Sequence, residues 1–246
     1  LRASEMSAMT DNNSPRNARL CIRDITKSYN SAPVLTGISL TIEPGETVAV
    51  MGPSGSGKST LLHCMSGVLL PDDGDVIFGD TKINSLSDAD RSALRLHDFG
   101  FVFQDGQLLP ELTARENVAL PMILQGKKRS KSLELADDVL NRLGLTDLTR
   151  RRPGQMSGGQ AQRVAIARAM AGEPGVIFAD EPTGALDQST GHEVMQQLIA
   201  LVEQTGTTLV MVTHDVKVAD WCRRRVEIRD GLIHDDRMLA GAEVTK

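Results

Sequence analysis

The chain has 246 residues and a formal net charge of −5, with 40% apolar and 24% charged residues, which is ordinary for one large globular domain or two joined subdomains. The negative charge argues against broad, sequence-independent binding of nucleic acid. Three cysteines without a C-x-x-C spacing suggest neither a disulfide framework nor a zinc site, and no apolar run reaches the ~18–20 residues that span a bilayer.

The first third of the chain is predicted to be a β-rich layer that leads into a strand–loop–helix unit. Residues 1–19 have no apolar core, so we expect a disordered tail or an expression scar there rather than a signal peptide. Clusters of β-forming residues predict strands within residues 19–29 and 37–51. A helix is predicted over residues 57–70, where a proline follows, and a short strand over residues 74–80.

The middle of the chain, about residues 87–160, is predicted to be a helical subdomain. Apolar residues recur with helical spacing in residues 87–99, 113–125 and 132–145. Ser87 is placed to cap the first of these helices.

Strands and helices alternate through the rest of the chain. The predicted order is a helix at 159–172, a strand at 175–180, a helix at 189–206, a strand at 207–215, a helix at 216–224, and a hairpin at 225–236 that turns at Asp230 and Gly231. Such alternation implies a parallel α/β sheet. We therefore predict one α/β domain over residues 20–246, with residues 20–86 and 161–246 forming its catalytic core.

The sequence GPSGSGKST matches the phosphate-binding pattern G-x-x-x-x-G-K-[ST] and lies between a predicted strand and a predicted helix, the context that this pattern requires. Its glycines let backbone N–H groups face the phosphates, and the start of the helix adds partial positive charge. We expect Lys58 to reach the β- and γ-phosphates of a nucleoside triphosphate, Ser59 to offer a hydroxyl to Mg²⁺, and Thr60 to contact the α-phosphate. The whole predicted loop comprises Gly52, Pro53, Ser54, Gly55, Ser56, Gly57, Lys58, Ser59 and Thr60.

Two carboxylates, Asp180 and Glu181, follow the apolar residues 176–179. We expect Asp180 to hold Mg²⁺ through water and Glu181 to polarise the attacking water, because phosphoryl transfer depends mostly on positioning and charge stabilisation. An acidic pair after a strand can instead be a surface turn, but the phosphate loop earlier in the chain favours the catalytic interpretation.

His214 and Gln104 each end an apolar run that is predicted to be a strand. At the carboxyl edge of a parallel sheet, where ligands bind, His214 is a candidate contact for the γ-phosphate. Gln104 is a candidate neighbour of Mg²⁺ and the attacking water. A purely structural role, such as ending the strand, is the alternative for both residues.

A second glycine-rich segment, MSGGQAQR, lies about a hundred residues after the phosphate loop. Ser157, Gly158 and Gly159 precede or open a predicted helix, so they form a second candidate anion site. This segment raises the question of why one chain carries two such sites.

These elements, in this order, resemble those of the ATP-binding cassette (ABC) ATPases over about residues 20–235. The resemblance implies a P-loop NTPase fold, in which a RecA-like α/β core with an antiparallel β layer carries a helical signature subdomain. It also implies an ATPase that uses ATP and Mg²⁺. The residues that carry it are Tyr29, the phosphate loop, Gln104, Ser157, Gly158, Gly159, Gln160, Asp180, Glu181, Asp187 and His214.

The resemblance assigns further roles to some of these residues. Tyr29 is expected to stack on adenine, and Gln104 to sense the γ-phosphate and contact the metal. The segment from Ser157 to Gln160 is expected to be the signature motif. Asp187, in the sequence GALD, is expected to touch the opposite subunit, and His214 to be the switch histidine.

The resemblance also implies an assembly that answers the question raised by the second anion site. In this family two cassettes pack head to tail, so that the signature motif of one copy closes over the ATP bound by the other. Residues 100–124 further resemble cassettes of the macrolide-exporter, lipoprotein-releasing and haem-exporter group. That likeness implies an integral membrane permease subunit docked in a groove near Gln104 and Met122, which would hold the chain peripherally at the cytoplasmic face of the inner membrane.

The expected work is efflux or extraction of a drug, peptide, haem or lipoprotein, with no nucleic acid as partner. A cassette of the same group that signals, as in cell division, stays open as the alternative. An importer cassette with a regulatory domain is disfavoured because the chain ends soon after His214, and soluble cassettes of DNA repair or translation because it has one phosphate loop and no sustained heptads. Met156 and Ala161 depart from the usual signature, and we expect neither to abolish function.

Overall fold

The computed structural model describes residues 18–239, so residues 1–17 of the predicted tail lie outside the described residues. The strands are β1 (Leu20–Tyr29), β2 (Ala32–Ile42), β3 (Thr47–Met51), β4 (Asp73–Phe78), β5 (Thr81–Lys82), β6 (Phe99–Phe103), β7 (Val176–Asp180), β8 (Thr208–Val212), β9 (Arg224–Arg229) and β10 (Leu232–Met238). The α-helices are α1 (Lys58–Met65), α2 (Asp88–Asp98), α3 (Ala114–Leu124), α4 (Arg129–Arg142), α5 (Gly158–Ala171), α6 (Gln188–Thr205) and α7 (Val216–Ala219).

The predicted parallel sheet is confirmed, and it forms the centre of the molecule. It has six strands in the order β10-β9-β3-β8-β7-β6, and only the β9–β10 hairpin is antiparallel. The hairpin turns at Asp230 and Gly231, as predicted, with both residues at positive φ. Strands β3 and β8 are buried along their whole length, as expected for parallel strands that are covered on both faces.

A second, four-stranded antiparallel sheet with the order β2-β1-β4-β5 covers one face of the central sheet. Side chains alternate along β3: Val48 and Val50 point into the core shared with the antiparallel layer and α1, whereas Ala49 and Met51 pack with residues of α5 and α6. The central sheet is therefore enclosed between an antiparallel β layer and a helical layer.

A third apolar cluster lies among α3, α4 and α5, with Val118, Leu140 and Val164 among its buried members. Helix α3 begins at a capping box, in which the hydroxyl of Thr113 accepts from the backbone N–H of Glu116 and the Glu116 carboxylate accepts from the N–H of Thr113. Helix α5 belongs to this cluster and also packs on the central sheet, so it joins the helical layer to the core.

Three segments differ from the sequence predictions. Helix α1 ends at Met65 instead of residue 70, because Gly67 adopts a φ of 64° and lies so close to Ile83 that a Cβ would sit 2.7 Å from its methyl group. Helix α7 covers only Val216–Ala219. The strand predicted before Gln104 is present as β6, but it lies within the range 87–160 predicted for the helical subdomain and instead pairs with β7 at an edge of the central sheet.

The other predicted helices are present, and Ser87 caps α2 as predicted, with its hydroxyl accepting from the N–H of Asp90. Within residues 18–239, none of the helices has the length and apolar character needed to cross a bilayer.

Candidate active site

The carboxyl ends of β3, β6, β7 and β8 meet at one edge of the central sheet. The phosphate loop follows β3, Gln104 follows β6, Glu181 follows β7 and His214 lies just beyond β8. Ligands of open α/β sheets bind at this edge. The topology thus brings together four features that the sequence analysis found far apart in the chain.

The phosphate loop is held in a conformation that only glycine permits at two positions. A Cβ on Gly52 (φ 150°) would lie 2.1 Å from the carbonyl oxygen of Ile228, and one on Gly57 (φ 99°) would lie 2.8 Å from that of Val34. Gly57 is the N-cap of α1 and offers no side chain to the first N–H groups of the helix. These donors are available to an anion.

Two side chains complete the loop as a cradle for phosphate. The hydroxyl of Ser56 is buried and has no hydrogen-bond partner within the described part of the chain. Lys58 is largely buried, and its Nζ donates to the Pro53 carbonyl at 2.9 Å across the loop. A buried ammonium and an unpartnered hydroxyl beside uncapped helix N–H groups fit the phosphates of a nucleotide.

Ser59 and Asp180 form a pair beside the loop. The Ser59 hydroxyl donates to Asp180 Oδ1 at 3.3 Å. Burial raises the pKa of the Asp180 carboxyl, and the Glu181 charge adds to this effect, while the Ser59 hydrogen bond and the nearby His63 and Lys58 oppose it. Oxygen ligands of this kind suit Mg²⁺, whose charge would favour the ionised carboxylate.

Glu181 is held in place by contacts on both of its carboxylate oxygens. Its φ is 48°, and its backbone N–H donates to the Val212 carbonyl at 2.9 Å. Thr213 donates to Oε2 at 3.3 Å, and His214 Nδ1 lies 2.7 Å from Oε1. The direction of this last hydrogen bond depends on the tautomer of the His214 ring.

Gln104 lies against the loop that follows Glu181. A Cβ on Gly184 would be 3.0 Å from Gln104 Nε2, so the two loops approach closely, and a side chain at this position would require the end of the Gln104 side chain to shift. Both loops are also tied to α5 by Gln162, whose side chain is buried. Its Nε2 donates to the Phe103 carbonyl at 2.8 Å and to the Pro182 carbonyl at 2.7 Å.

The signature residues open α5 with a second capping box. The Ser157 hydroxyl accepts from the N–H of Gln160 at 3.3 Å, and Gln160 Oε1 accepts from the N–H of Ser157 at 3.0 Å. A Cβ on Gly159 would lie 2.2 Å from Thr190 Cγ2, and one on Gly158 would lie 3.2 Å from Leu186. The two glycines therefore pack the start of α5 against the start of α6 and the GALD loop of the same chain.

The Asp187 side chain caps α6. Its Oδ1 accepts from the N–H groups of Ser189 and Thr190, and its Oδ2 accepts from the Thr190 hydroxyl at 2.6 Å. The Ser189 hydroxyl, which donates to Oδ1 at 2.6 Å, is the largest cause that holds the pKa of the Asp187 carboxyl well below its usual range, and the Thr190 hydroxyl and the two N–H groups add to it. The carboxylate therefore caps a helix of its own chain. The position of Asp187 just before the helix predicted at 189–206 is compatible with this capping role.

A cavity of about 910 Å³ lies over the phosphate loop, and its lining includes Gly52, Lys58, Glu181 and His214. None of Ser157, Gly158, Gly159 and Gln160 is among its lining residues. Part of the phosphate loop therefore shares one cavity with Glu181 and His214. Ser59, Asp180 and Gln104 are not among the lining residues, and neither are the signature residues of the same chain.

Tyr29 lies at the end of β1 with 47% of its surface exposed. Strand β2, which pairs with β1, runs next to the phosphate loop. Its residue Val34 lies so close to Gly57 that a Cβ on Gly57 would be 2.8 Å from the Val34 carbonyl oxygen. An exposed aromatic ring on this sheet is compatible with stacking on a base next to the phosphates.

The sequence analysis did not single out Gln162 or Thr213. Gln162 precedes Ala165, Ile166 and Ala169 by three, four and seven positions, the spacing of one helix face, and these residues are buried. A polar residue on an apolar helix face was the signal that could have identified it.

The model of the ABC transporter family matches residues 35–184. The chain is 44% identical to the lipoprotein-releasing system ATP-binding protein LolD of Nitrobacter hamburgensis over 85% of this chain and 90% of that protein, and 45% identical to LolD of Geobacter metallireducens over 87% and 97%. Its structure is similar, with a TM-score of 0.82 and 40% identity, to the dimeric ATP-binding cassette MJ0796 bound to ADP and Pi, covering 90% of this chain and 99% of that one.

Proposed function

The chain belongs to the ABC transporter family and is an ATP-binding ATPase, and we propose that it drives release of lipoproteins from a membrane as the peripheral subunit of a larger complex. The observation that carries the ATPase chemistry is the cavity that unites the phosphate loop with Glu181 and His214. Relatives at 44% and 45% identity are ATP-binding proteins of lipoprotein-releasing systems, and this supports a lipoprotein as the substrate.

In the proposed reaction the phosphate loop binds ATP, and Lys58 and the N–H groups of α1 neutralise its β- and γ-phosphates. Ser59, Asp180 and Gln104 would hold Mg²⁺, which when bound would neutralise part of the phosphate charge. Glu181 orients a water and accepts its proton as the water oxygen bonds to the γ-phosphorus. The bond from that phosphorus to the bridging oxygen breaks, and ADP leaves.

We also propose that two copies pack head to tail around two ATP molecules. The capping box of α5 engages the N–H groups of Ser157 and Gln160, which leaves those of Gly158 and Gly159 without an intrahelical partner. The signature residues do not line the chain's own nucleotide cavity, which supports a phosphate that comes from another molecule. The dimeric state of the similar cassette MJ0796 supports this arrangement.

A membrane subunit would complete the complex at the groove near Gln104 and Met122, which would place the chain at the cytoplasmic face of the inner membrane. Efflux of a drug, peptide or haem by the same machinery, or signalling without transport, are the competing functions. Lipoprotein release, efflux and signalling would all use the same ATPase site, and they would differ in what the membrane subunit does.

Reconstitution tests the proposed substrate. The chain would be co-expressed with the membrane subunits that co-purify with it, and the complex placed in liposomes that carry an acylated protein in the bilayer. We expect ATP to release the acylated protein to a soluble lipid-binding acceptor, and Lys58→Ala to abolish this release. ATP hydrolysis by the complex without release would contradict the lipoprotein function and favour signalling.

A further inference from the structure

The hairpin formed by β1 and β2 carries Tyr29 next to its turn. The two turn residues, Asn30 and Ser31, both have positive φ, as in the tight turns of two-residue hairpins. The pairing of β1 with β4 extends only to Thr26, opposite Asp73, whereas its pairing with β2 continues to Tyr29. The end of β1 that carries the aromatic ring thus projects beyond the strand on its other side.

The pairing of this end with β2 is itself irregular. The register shifts between Lys27 and Ser28, so that Ser28 lies opposite Pro33. A proline has no backbone N–H to donate to a neighbouring strand. The ladder therefore constrains the backbone before Tyr29 less than a regular hairpin would, and contacts from outside the hairpin matter more for the position of the ring.

Asp72 makes such contacts at the point where the pairing of β1 with β4 has stopped. Its Oδ1 accepts from Lys27 Nζ at 2.6 Å, and its Oδ2 accepts from the backbone N–H of Ser28 at 2.7 Å. The N–H of Asp72 donates to the Thr26 carbonyl at 2.8 Å. One aspartate therefore holds the consecutive residues that lead to Tyr29.

These hydrogen bonds involve an ionised carboxylate. The hydrogen bond from Lys27, followed by that from the Ser28 N–H, lowers the pKa of Asp72, and Asp72 in turn raises the pKa of Lys27. The Asp72 side chain is 46% exposed, and ion pairs with such exposure contribute little to the stability of a domain. The main effect of the contacts is therefore local, on the orientation of the strand end.

Asp72 lies in the segment that leads out of α1, the helix that begins within the phosphate loop. In this segment the N–H groups of Val68 and Leu69 both donate to the carbonyl of His63 at 3.0 Å, which ties the segment to the end of the helix. Asp72 therefore connects the end of β1 to the helix whose first turn holds the phosphates.

We propose that Asp72 is a positioning residue for the nucleotide, which holds the end of β1 so that the ring of Tyr29 stacks on the base of ATP bound at the phosphate loop. This inference rests on the proposed function and on stacking by Tyr29. It adds the residue that orients the stacking ring relative to the phosphates.

A double-mutant cycle tests whether Asp72 acts through Tyr29. Calorimetry would measure binding of a non-hydrolysable ATP analogue with Mg²⁺ to the full chain carrying Asp72→Ala, Tyr29→Leu or both. We expect Tyr29→Leu to weaken binding at least about fivefold and Asp72→Ala at least about threefold. Adding Asp72→Ala to Tyr29→Leu should cost little more, and an equally large loss in that background would overturn the proposal.

Asp75→Ala is the matched control, because it removes an aspartate of the same sheet that pairs with a lysine, Lys82 Nζ at 2.5 Å. It should leave binding of the analogue unchanged. Asp72→Asn, which keeps one acceptor, should lose less than Asp72→Ala and carries the same cycle if Asp72→Ala does not fold. Inorganic tripolyphosphate has no base, so Asp72→Ala should bind it as the unmodified chain does. Weaker binding would show that Asp72 acts on the phosphate loop, contrary to the proposal.

The position of the ring can be observed directly, because Tyr29 is the only tyrosine of the chain. Tyrosine labelled in its ring therefore gives one set of NMR signals. The saturating analogue should shift these signals upfield in the unmodified chain and in Asp75→Ala, and by less in Asp72→Ala. An equal shift in Asp72→Ala would show that the ring stacks without Asp72, and the inference would be wrong.

Failure of the proposed function and failure of this inference are distinguishable. If the unmodified chain binds no nucleotide, the proposed function fails. If it binds ATP but Tyr29→Leu binds the analogue equally tightly, the ATPase stands and only the inference about Asp72 fails.

Discussion

Glu181 illustrates how far single residues could be assigned from sequence. Its place after an apolar strand and its partnership with a distant phosphate loop predicted a catalytic carboxylate, and it lies in the cavity over that loop. The contacts with Thr213 and His214 could not be predicted, because they depend on the neighbouring strand β8 and on a positive φ at Glu181 itself. A positive φ at a glutamate has no sequence signal of the kind that glycine gives.

Glu181→Gln tests the assignment of the general base. The amide has nearly the shape of the carboxylate but cannot accept the proton of the attacking water, so we expect the ATPase rate to fall at least about 100-fold with nucleotide affinity retained. Steady-state phosphate release and equilibrium binding of a fluorescent ATP analogue would measure the two effects.

Glu203→Gln, a matched change on α6 where the carboxylate pairs with Arg223 at 2.9 Å, should leave the rate nearly unchanged. A Glu181→Gln variant that still turned over at the normal rate would show that another group accepts the proton.

At the scale of elements, periodicity predicted the central strands and most helices, but it did not locate every helix end. The apolar residues after Met65 continue the pattern of α1, yet the helix ends there with Gly67 at a left-handed φ of 64°, and Ile83 of a later segment leaves no room for a side chain at this position. The role of β6 as a sheet edge inside the predicted helical range also depends on long-range pairing, here with β7. Non-local contacts of this kind override local patterns.

Helix α5 makes the element-scale connection between the two parts of the proposed site. It begins at the signature residues, and one turn later Gln162 bonds to the ends of the loops that carry Gln104 and Glu181. The partners of Gln162 are 59 and 20 residues away in sequence, so a local pattern could show that this residue is buried but could not show what it holds.

Gln162→Met tests whether this connection positions the catalytic loops. The side chain keeps its approximate volume but removes the donor of the buried Pro182 carbonyl, which costs about 1–3 kcal/mol of stability. The Phe103 carbonyl keeps the N–H of Gly106 as a donor at 3.0 Å. If Gln162 positions the loops, kcat should fall roughly tenfold while KM for ATP changes little, because the phosphate loop is untouched.

Gln125→Met is the matched control, since Gln125 Nε2 likewise donates to a backbone carbonyl, that of Leu96 at 2.9 Å, but ties no catalytic loop. Thermal unfolding would be measured for both variants. A similar drop in Tm with a normal kcat in both would reduce Gln162 to a purely structural residue.

At the scale of the whole molecule, the phosphate loop and the signature residues lie at places that do not share a cavity within one chain. The cavity over the phosphate loop lacks the signature residues, and the signature helix begins against the GALD loop instead. The motif spacing alone could predict two anion sites but not their separation in space. The proposed head-to-tail dimer accounts for both sites without assigning a second nucleotide to each chain.

Mixing two inactive variants tests this assembly. Ser157→Arg should block the signature face, and Lys58→Ala should disable the phosphate loop, so each variant alone should be nearly inactive. In a head-to-tail heterodimer of the two, the phosphate loop of the Ser157→Arg chain meets the intact signature of the Lys58→Ala chain and forms one working site. An equal mixture should therefore recover about a quarter of the normal rate if sites act independently and chains exchange freely, since half of the dimers are mixed and each has one of two sites intact.

Ser87→Arg controls for the lost helix cap, because Ser87 caps α2 through the same kind of hydrogen bond and lies far from the signature in the chain. It should lose a comparable stability, about 0.5–2 kcal/mol, without losing activity or dimer formation. Nucleotide binding to the Ser157→Arg monomer should persist, because its own phosphate loop is intact. If the mixture stayed inactive while the two variants were shown to form mixed dimers, or if Ser157→Arg abolished nucleotide binding to the monomer, the signature would have to act on the nucleotide of its own chain.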